Sequence, residues 1–150
     1  MSTDEHKKTA PKRIDLGILT ISTTRTLETD KSGQWIRKQA EKEGHRILRH
    51  VVVPDDATAI CEALLHTIRE YSPQAVLLTG GTGTGRTDVT IEAVGPLLRK
   101  ELTAFGCLFA RLSFDEIGSA ALMSRATAGI VENTAVFCMP GSLAACKLAC

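Results

Sequence analysis

The chain has 150 residues, 43% hydrophobic but only 4% aromatic, enough for one domain with an aliphatic core. Lys and Arg total 18 and Asp and Glu 17, a formal net charge of +1, which argues against a general nucleic-acid or membrane-surface binder. Five cysteines are an odd number without metal-ligand spacing to the four histidines, so reduced thiols in a cytoplasmic protein are expected.

Residues 1–13 are polar, lack the apolar run of a signal peptide and read as a mobile tail ahead of a domain spanning 14–150. No segment is long enough to span a bilayer. Ile14 to Ile21 is an apolar, β-branched first strand. After the polar stretch Ser22 to Ser32, Ser32 is placed to cap a helix through Glu43, with Gly44 at its C′ end. His45 to Val53 reads as the second strand, ended by Pro54. Asp56 then caps an amphipathic helix with Ile60, Leu64, Leu65 and Ile68 on one face. Ala75 to Thr79 is the third strand and runs into a glycine loop. Thr90 is expected to cap a helix over Thr90 to Leu102, interrupted or kinked at Gly95-Pro96. Ala104 to Ala126 reads as mostly helical with a break near Gly118. Gly129 to Val131 and Ala135 to Met139 are short strands around a turn at Glu132-Asn133, and Pro140-Gly141-Ser142 opens a last helix. Strands apolar on both faces, alternating with helices, imply a three-layer α/β fold: a mostly parallel sheet with helices on both faces.

In such sheets ligands sit outside the carboxyl ends of the strands. Here those ends carry Ser22-Thr23-Thr24, Pro54-Asp55-Asp56, Thr79 with Gly80 to Asp88, and Pro140-Gly141-Ser142. Gly80, Gly81, Gly83 and Gly85 fall within six residues, more glycines than a plain strand-to-helix turn requires. Their bare N–H groups can form an anion-binding nest, and a following helix N-terminus adds a favourable dipole. The Walker A pattern fits Gly80 to Thr87 only with Arg86 in place of lysine, and the dinucleotide fingerprint lacks its third glycine. Asp88 reads either as an Asx-type cap or as a ligand, and Asp55 has the same ambiguity beside Asp56. Two acids at a phosphate edge fit Mg²⁺, which takes one or two carboxylates together with substrate phosphates. Ser124-Arg125 and Ser142 stand between cap and ligand. His45, His50 and His66 lie on predicted strand or helix faces without acidic or cysteine partners and receive no role. Cys146 and Cys150 share a helix face and read as core.

Six segments in order extend the reading: E-T-D-K-S-G (Glu28 to Gly33), V-P-D-D (Val53 to Asp56), T-G-G-T-G with Asp88-Val89-Thr90, L-S-F-D-E-I-G (Leu112 to Gly118), S-R-A-T-A-G (Ser124 to Gly129) and M-P-G-S (Met139 to Ser142). From about Lys12 to Cys150 the chain resembles the molybdopterin adenylyltransferase family, most closely its molybdenum cofactor biosynthesis protein B branch. The resemblance implies the fold of those proteins, assembly as trimers or hexamers, and transfer of AMP from ATP to the terminal phosphate of molybdopterin with release of pyrophosphate. It carries the two catalytic, Mg²⁺-holding acids onto Asp55 and Asp88, and the phosphate loop onto Gly80, Gly81, Thr82 and Gly83. Ser124, Pro140, Gly141 and Ser142 match positions lining the same pocket, with Ser22, Thr79, Arg86 and Arg125 as further candidate contacts. Family enzymes often carry Arg directly before the loop Asp, where this chain has Thr87, and their last helix runs on beyond the point matched by Cys150. The attacking phosphate monoester has a second pKa of about 6, so no strong general base is required. Mg²⁺, the N–H nest and Arg86 or Arg125 can neutralise charge on the transferring group. Two other readings stay open: a protein that binds the pterin without adenylating it, and a phosphate-loop nucleotidase that hydrolyses ATP without any pterin.

Overall fold

The computed structural model describes residue 5 and residues 8–150, so the tail expected over 1–13 lies partly outside the described residues. Four strands run parallel: β1 (Asp15–Ile21), β2 (Arg46–Val53), β3 (Ala75–Thr79) and β6 (Thr134–Met139). β5 (Thr127–Val131) and β4 (Lys100–Glu101) add antiparallel to one edge, giving the order β2-β1-β3-β6-β5-β4. The helices are α1 (Lys31–Lys42), α2 (Ala57–Tyr71), α3 (Thr90–Val94), α4 (Thr103–Ile117) and α5 (Leu143–Ala149), with 3₁₀ turns at Gly95–Leu97 and Gly118–Met123.

Alternation along each strand builds the two apolar layers. On one face Leu19, Ile21, Val76, Leu78 and Val136 pack with Ile60, Leu64 and Ile68 of α2 and Val94 of α3. On the other, Ile18 and Met139 pack with Ile36 of α1 and Cys146 of α5. Leu64 is fully buried, and cutting such a leucine to alanine costs about 2–5 kcal/mol. The sheet is therefore fixed from both sides.

Three local expectations are corrected. The cap of α1 is Asp30, whose carboxylate accepts from the Gly33 N–H at 2.9 Å, while Ser32 sits inside the first turn and donates to the Gly141 carbonyl at 2.8 Å. Thr90 is the first helical residue of α3 and not its cap; its hydroxyl donates to the Gly80 carbonyl at 2.8 Å. The helix expected over Thr90 to Leu102 is interrupted at Gly95-Pro96, where Pro96 brings no N–H, and does not resume: Lys100–Glu101 pairs with Ile130 and Gly129 as a strand.

Register sets the functional edge. Ile21 pairs with Val53, Thr20 with Thr79, and Thr79 with Met139, so the carboxyl ends of four neighbouring parallel strands finish level. Ser22, Pro54, Gly80 and Pro140 leave the sheet side by side.

Candidate functional site

The glycine loop leaves β3 in a conformation that side chains oppose. Gly80 has φ +105° and Gly81 φ +64°, and a Cβ on Gly80 would run into the Ile21 carbonyl oxygen. Four successive carbonyls are then fastened on the protein side. The Gly80 oxygen accepts from the Thr90 hydroxyl at 2.8 Å and the Gly81 oxygen from the Thr90 N–H at 2.9 Å. Arg125 holds the next two, Nε donating to the Thr82 oxygen at 2.9 Å and Nη2 to the Gly83 oxygen at 2.8 Å. In a trans peptide each N–H points opposite the preceding carbonyl. The N–H groups of residues 81–84 therefore face away from those four partners, and they donate to no acceptor among the described residues. Successive N–H groups left without an acceptor are the geometry an anion-binding nest requires.

Arg125 itself is held by Glu92, Nη1 to Oε1 at 2.5 Å. That hydrogen bond keeps the Glu92 carboxyl below its ordinary range and raises the Arg125 guanidinium above its own. The charge of Arg125 is thus committed to the back of the loop. Arg86 is exposed and makes no hydrogen bond or ion pair among the described residues.

The two acids flank the nest. Because Asp56 caps α2 by accepting from the Ala59 N–H at 2.8 Å, Asp55 is free to do something else. Its Oδ2 accepts from the Thr23 N–H and hydroxyl at 2.8 and 2.9 Å, and a Cβ on Gly81 would lie 3.3 Å from its Oδ1. Asp88 precedes the N-cap residue Val89 and does not cap α3. Its Oδ2 reaches back to the Gly85 N–H at 2.8 Å and lies against Gly83. Each carboxylate leaves Oδ1 outside any hydrogen bond among the described residues. No cluster of three His, Cys, Asp or Glu side chains able to hold a metal occurs among those residues, so a cation here needs oxygens from a substrate as well.

The β6 end completes the edge. Gly141 packs on Gly80, where a Cβ would meet the Gly80 Cα at 3.0 Å, and its carbonyl accepts from Ser32 at 2.8 Å and from Arg25 Nη1 at 3.1 Å. Thr79 donates to the Pro140 oxygen at 3.2 Å beside the buried Cys146 sulfur, and Ser142 caps α5 through the Ala145 N–H. Ser22 turns its loop by accepting from the Arg25 N–H at 3.2 Å. Ser124 shares a cleft of about 120 Å³ with Glu116, Pro140 and Ser142. All the candidate residues are tied into this edge except Arg86, whose side chain makes no hydrogen bond or ion pair among the described residues. A roomier cavity of about 370 Å³, lined mostly by apolar residues such as Leu16, Leu77, Phe105 and Phe137 with Gln39, Glu43 and His45, reaches the amino ends of the strands, away from the glycine loop.

The residue reading placed Thr23 at this edge without its role of holding Asp55, missed Arg25, which holds Gly141, and left His50 without an acidic partner. His50 Nε2 in fact lies 3.0 Å from Asp30 Oδ2, and both side chains are buried. The D-K-S-G spacing could have marked Asp30 as the cap; nothing local marks His50.

A three-layer α/β domain with a glycine loop at its parallel strand ends defines the class. Residues 17–150 match the family model described as "Probable molybdopterin binding domain", and the chain belongs to that family. It is 49% identical over 150 residues to molybdenum cofactor biosynthesis protein B of Bacillus subtilis, covering 99% of this chain and 88% of that protein. Against the protein of the same name from Escherichia coli the identity is 42% over 139 residues, covering 93% and 81%. A crystal structure of molybdenum cofactor biosynthesis protein B superposes with a TM-score of 0.89 at 46% identity, covering 94% of this chain and 88% of that one. The tungsten cofactor synthesizing protein of Pyrococcus furiosus gives 0.84 at 38%, covering 93% and 89%.

Proposed function

We propose that the protein acts in molybdenum cofactor biosynthesis as a cytoplasmic molybdopterin adenylyltransferase. The terminal phosphate of molybdopterin attacks the α-phosphorus of ATP; the bond to the bridging oxygen breaks, and pyrophosphate leaves with its electron pair. The observation that carries this reading is the run of four N–H groups at residues 81–84 that donate to nothing among the described residues, flanked by two acids that each keep a free oxygen. The nest receives phosphate oxygens, Arg86 lies close enough in sequence to add a mobile cation, and the attacking phosphate needs no base because it is already largely ionised. Mg²⁺, held by Asp55 and Asp88, would neutralise charge on the phosphates that these residues face. Self-association as a trimer or hexamer is supported by the exposed apolar side chains Leu108, Leu112, Phe114 and Ile117 of α4 with Leu122 and Met123 after it.

The experiment is incubation with molybdopterin and Mg·ATP, following pyrophosphate and adenylated pterin by mass spectrometry. Asp88→Asn keeps an oxygen for the Gly85 N–H but loses the charge, and should lower turnover by about 10²–10³. Tight pterin binding without product in the wild type would replace this reading with a binding protein, and ADP formation without pterin would replace it with a nucleotidase.

A further inference from the structure

The buried histidine lies at the head of a chain of contacts that ends on the glycine loop. Thr20 of β1, His50 of β2 and the cap of α1 converge on one carboxylate: Asp30 Oδ2 accepts from Thr20 Oγ1 at 2.5 Å and lies 3.0 Å from His50 Nε2, while Oδ1 accepts from the Gly33 N–H. Asp30 and Thr20 are fully buried, so this junction locks the first turn of α1 onto the two strands. Ser32, in that turn, holds the Gly141 carbonyl, and Gly141 packs on the Cα of Gly80, the first residue of the nest. The Gly80 N–H in turn donates to the Met139 oxygen at 3.0 Å. Among the described residues, His50 makes no hydrogen bond or ion pair to a residue of the glycine loop.

We propose that His50 is a positioning residue for phosphate binding: through Asp30 and Ser32 it sets the place of Gly141 against Gly80, and so the geometry of the nest. The inference rests on the reading of residues 80–83 as a phosphate loop. His50 donates one of the three hydrogen bonds that Asp30 receives. Without it the carboxylate keeps Thr20 and Gly33 but loses its tie to β2, and the first turn of α1 gains freedom. Glutamine places an amide N–H near the position of Nε2 and restores the tie; leucine fills the space and cannot.

The experiment measures Mg·ATP binding by calorimetry for the wild type, His50→Leu, His50→Gln, Ser32→Ala and Gly81→Val, each at a temperature where circular dichroism shows it folded. His50→Leu and Ser32→Ala should bind about threefold to thirtyfold more weakly, with His50→Gln within about twofold of the wild type. Gly81→Val places a side chain on Thr90 and beside Asp55, and should abolish binding. Hydrogen exchange at the Gly80 amide should quicken in His50→Leu and return to normal in His50→Gln, a response that a general loss of stability would not confine to that amide. If Gly81→Val abolishes binding while His50→Leu binds as the wild type, or if leucine and glutamine weaken it equally, the positioning role is wrong. If Gly81→Val binds normally, the phosphate-loop reading fails first and takes the inference with it.

Discussion

Replacing Gly33 by alanine should be among the more damaging single-methyl changes available in this chain. An alanine Cβ at this position would stand 2.5 Å from His50 Nε2 and 2.7 Å from Thr20 Oγ1, and closer still to Asp30 Oδ2. These atoms are not loose ends. Asp30 and Thr20 are fully buried, and each is fixed by the hydrogen bonds the methyl would push apart. Losing one or more bonds to a buried carboxylate costs about 1.5–3 kcal/mol each, and overpacking adds about 1–3 kcal/mol. Alanine's better helix propensity returns about 1 kcal/mol. The net is a loss of about 2–5 kcal/mol, which for a chain of this length lowers Tm by roughly 5–15 °C. Thermal unfolding followed by circular dichroism checks it. A Tm unchanged or raised in Gly33→Ala, as an open helical glycine would give, would refute the crowded junction and the chain of contacts built on it.

Arg125→Ala should free the Thr82 and Gly83 carbonyls and weaken Mg·ATP binding by about tenfold. Arg125→Lys should recover little, since a point charge cannot span two carbonyls and Glu92 as the planar fork does; calorimetry on both variants decides it. Acid should expose the Asp30 junction. Burial works to raise that carboxyl, but hydrogen bonds from His50, Thr20 and the Gly33 N–H outweigh it and hold it below its ordinary 3.8. A folded value below the unfolded one means that the stability Asp30 contributes is present above pH 3.8 and is lost as pH falls through the lower folded value. Urea unfolding between pH 6 and pH 2 should therefore show a steeper acid loss in the wild type than in Asp30→Asn.

What could be read from the sequence was whatever depends on neighbours along the chain. Runs such as Ile14 to Ile21 gave the strands, Asp56 its helix, and the clustered glycines their loop, because period, capping and φ freedom are local properties. Parallel pairing then puts the carboxyl ends on one edge, and the register of the pairs makes them level. The failures share one cause, a partner far away in sequence. Ser32 and Asp30 are both good caps, and the choice falls to Asp30 because the Gly141 carbonyl, 109 positions on, takes the serine hydroxyl. Lys100–Glu101 has little strand propensity and becomes β4 only by pairing with β5. His50 finds its acid 20 residues earlier, across the sheet face.

The arginines make the same point about charge. Arg86 and Arg125 read alike as cations for a phosphate, yet the fold divides their work. Arg125 is spent on carbonyl oxygens and Glu92, and Arg25, which drew no notice in the sequence, holds the Gly141 carbonyl. A guanidinium on a carbonyl oxygen polarises that peptide, so the N–H on its far side becomes a better donor. On the adenylyltransferase reading, the fixed cation would act on an anion through the backbone, while the exposed Arg86 would act through solvent and be screened by it. Five donors in a rigid fork suit two carbonyls at set angles as well as they suit a phosphate. An arginine near a glycine loop can thus serve as scaffold or as ligand, and only the direction of the neighbouring carbonyls tells which.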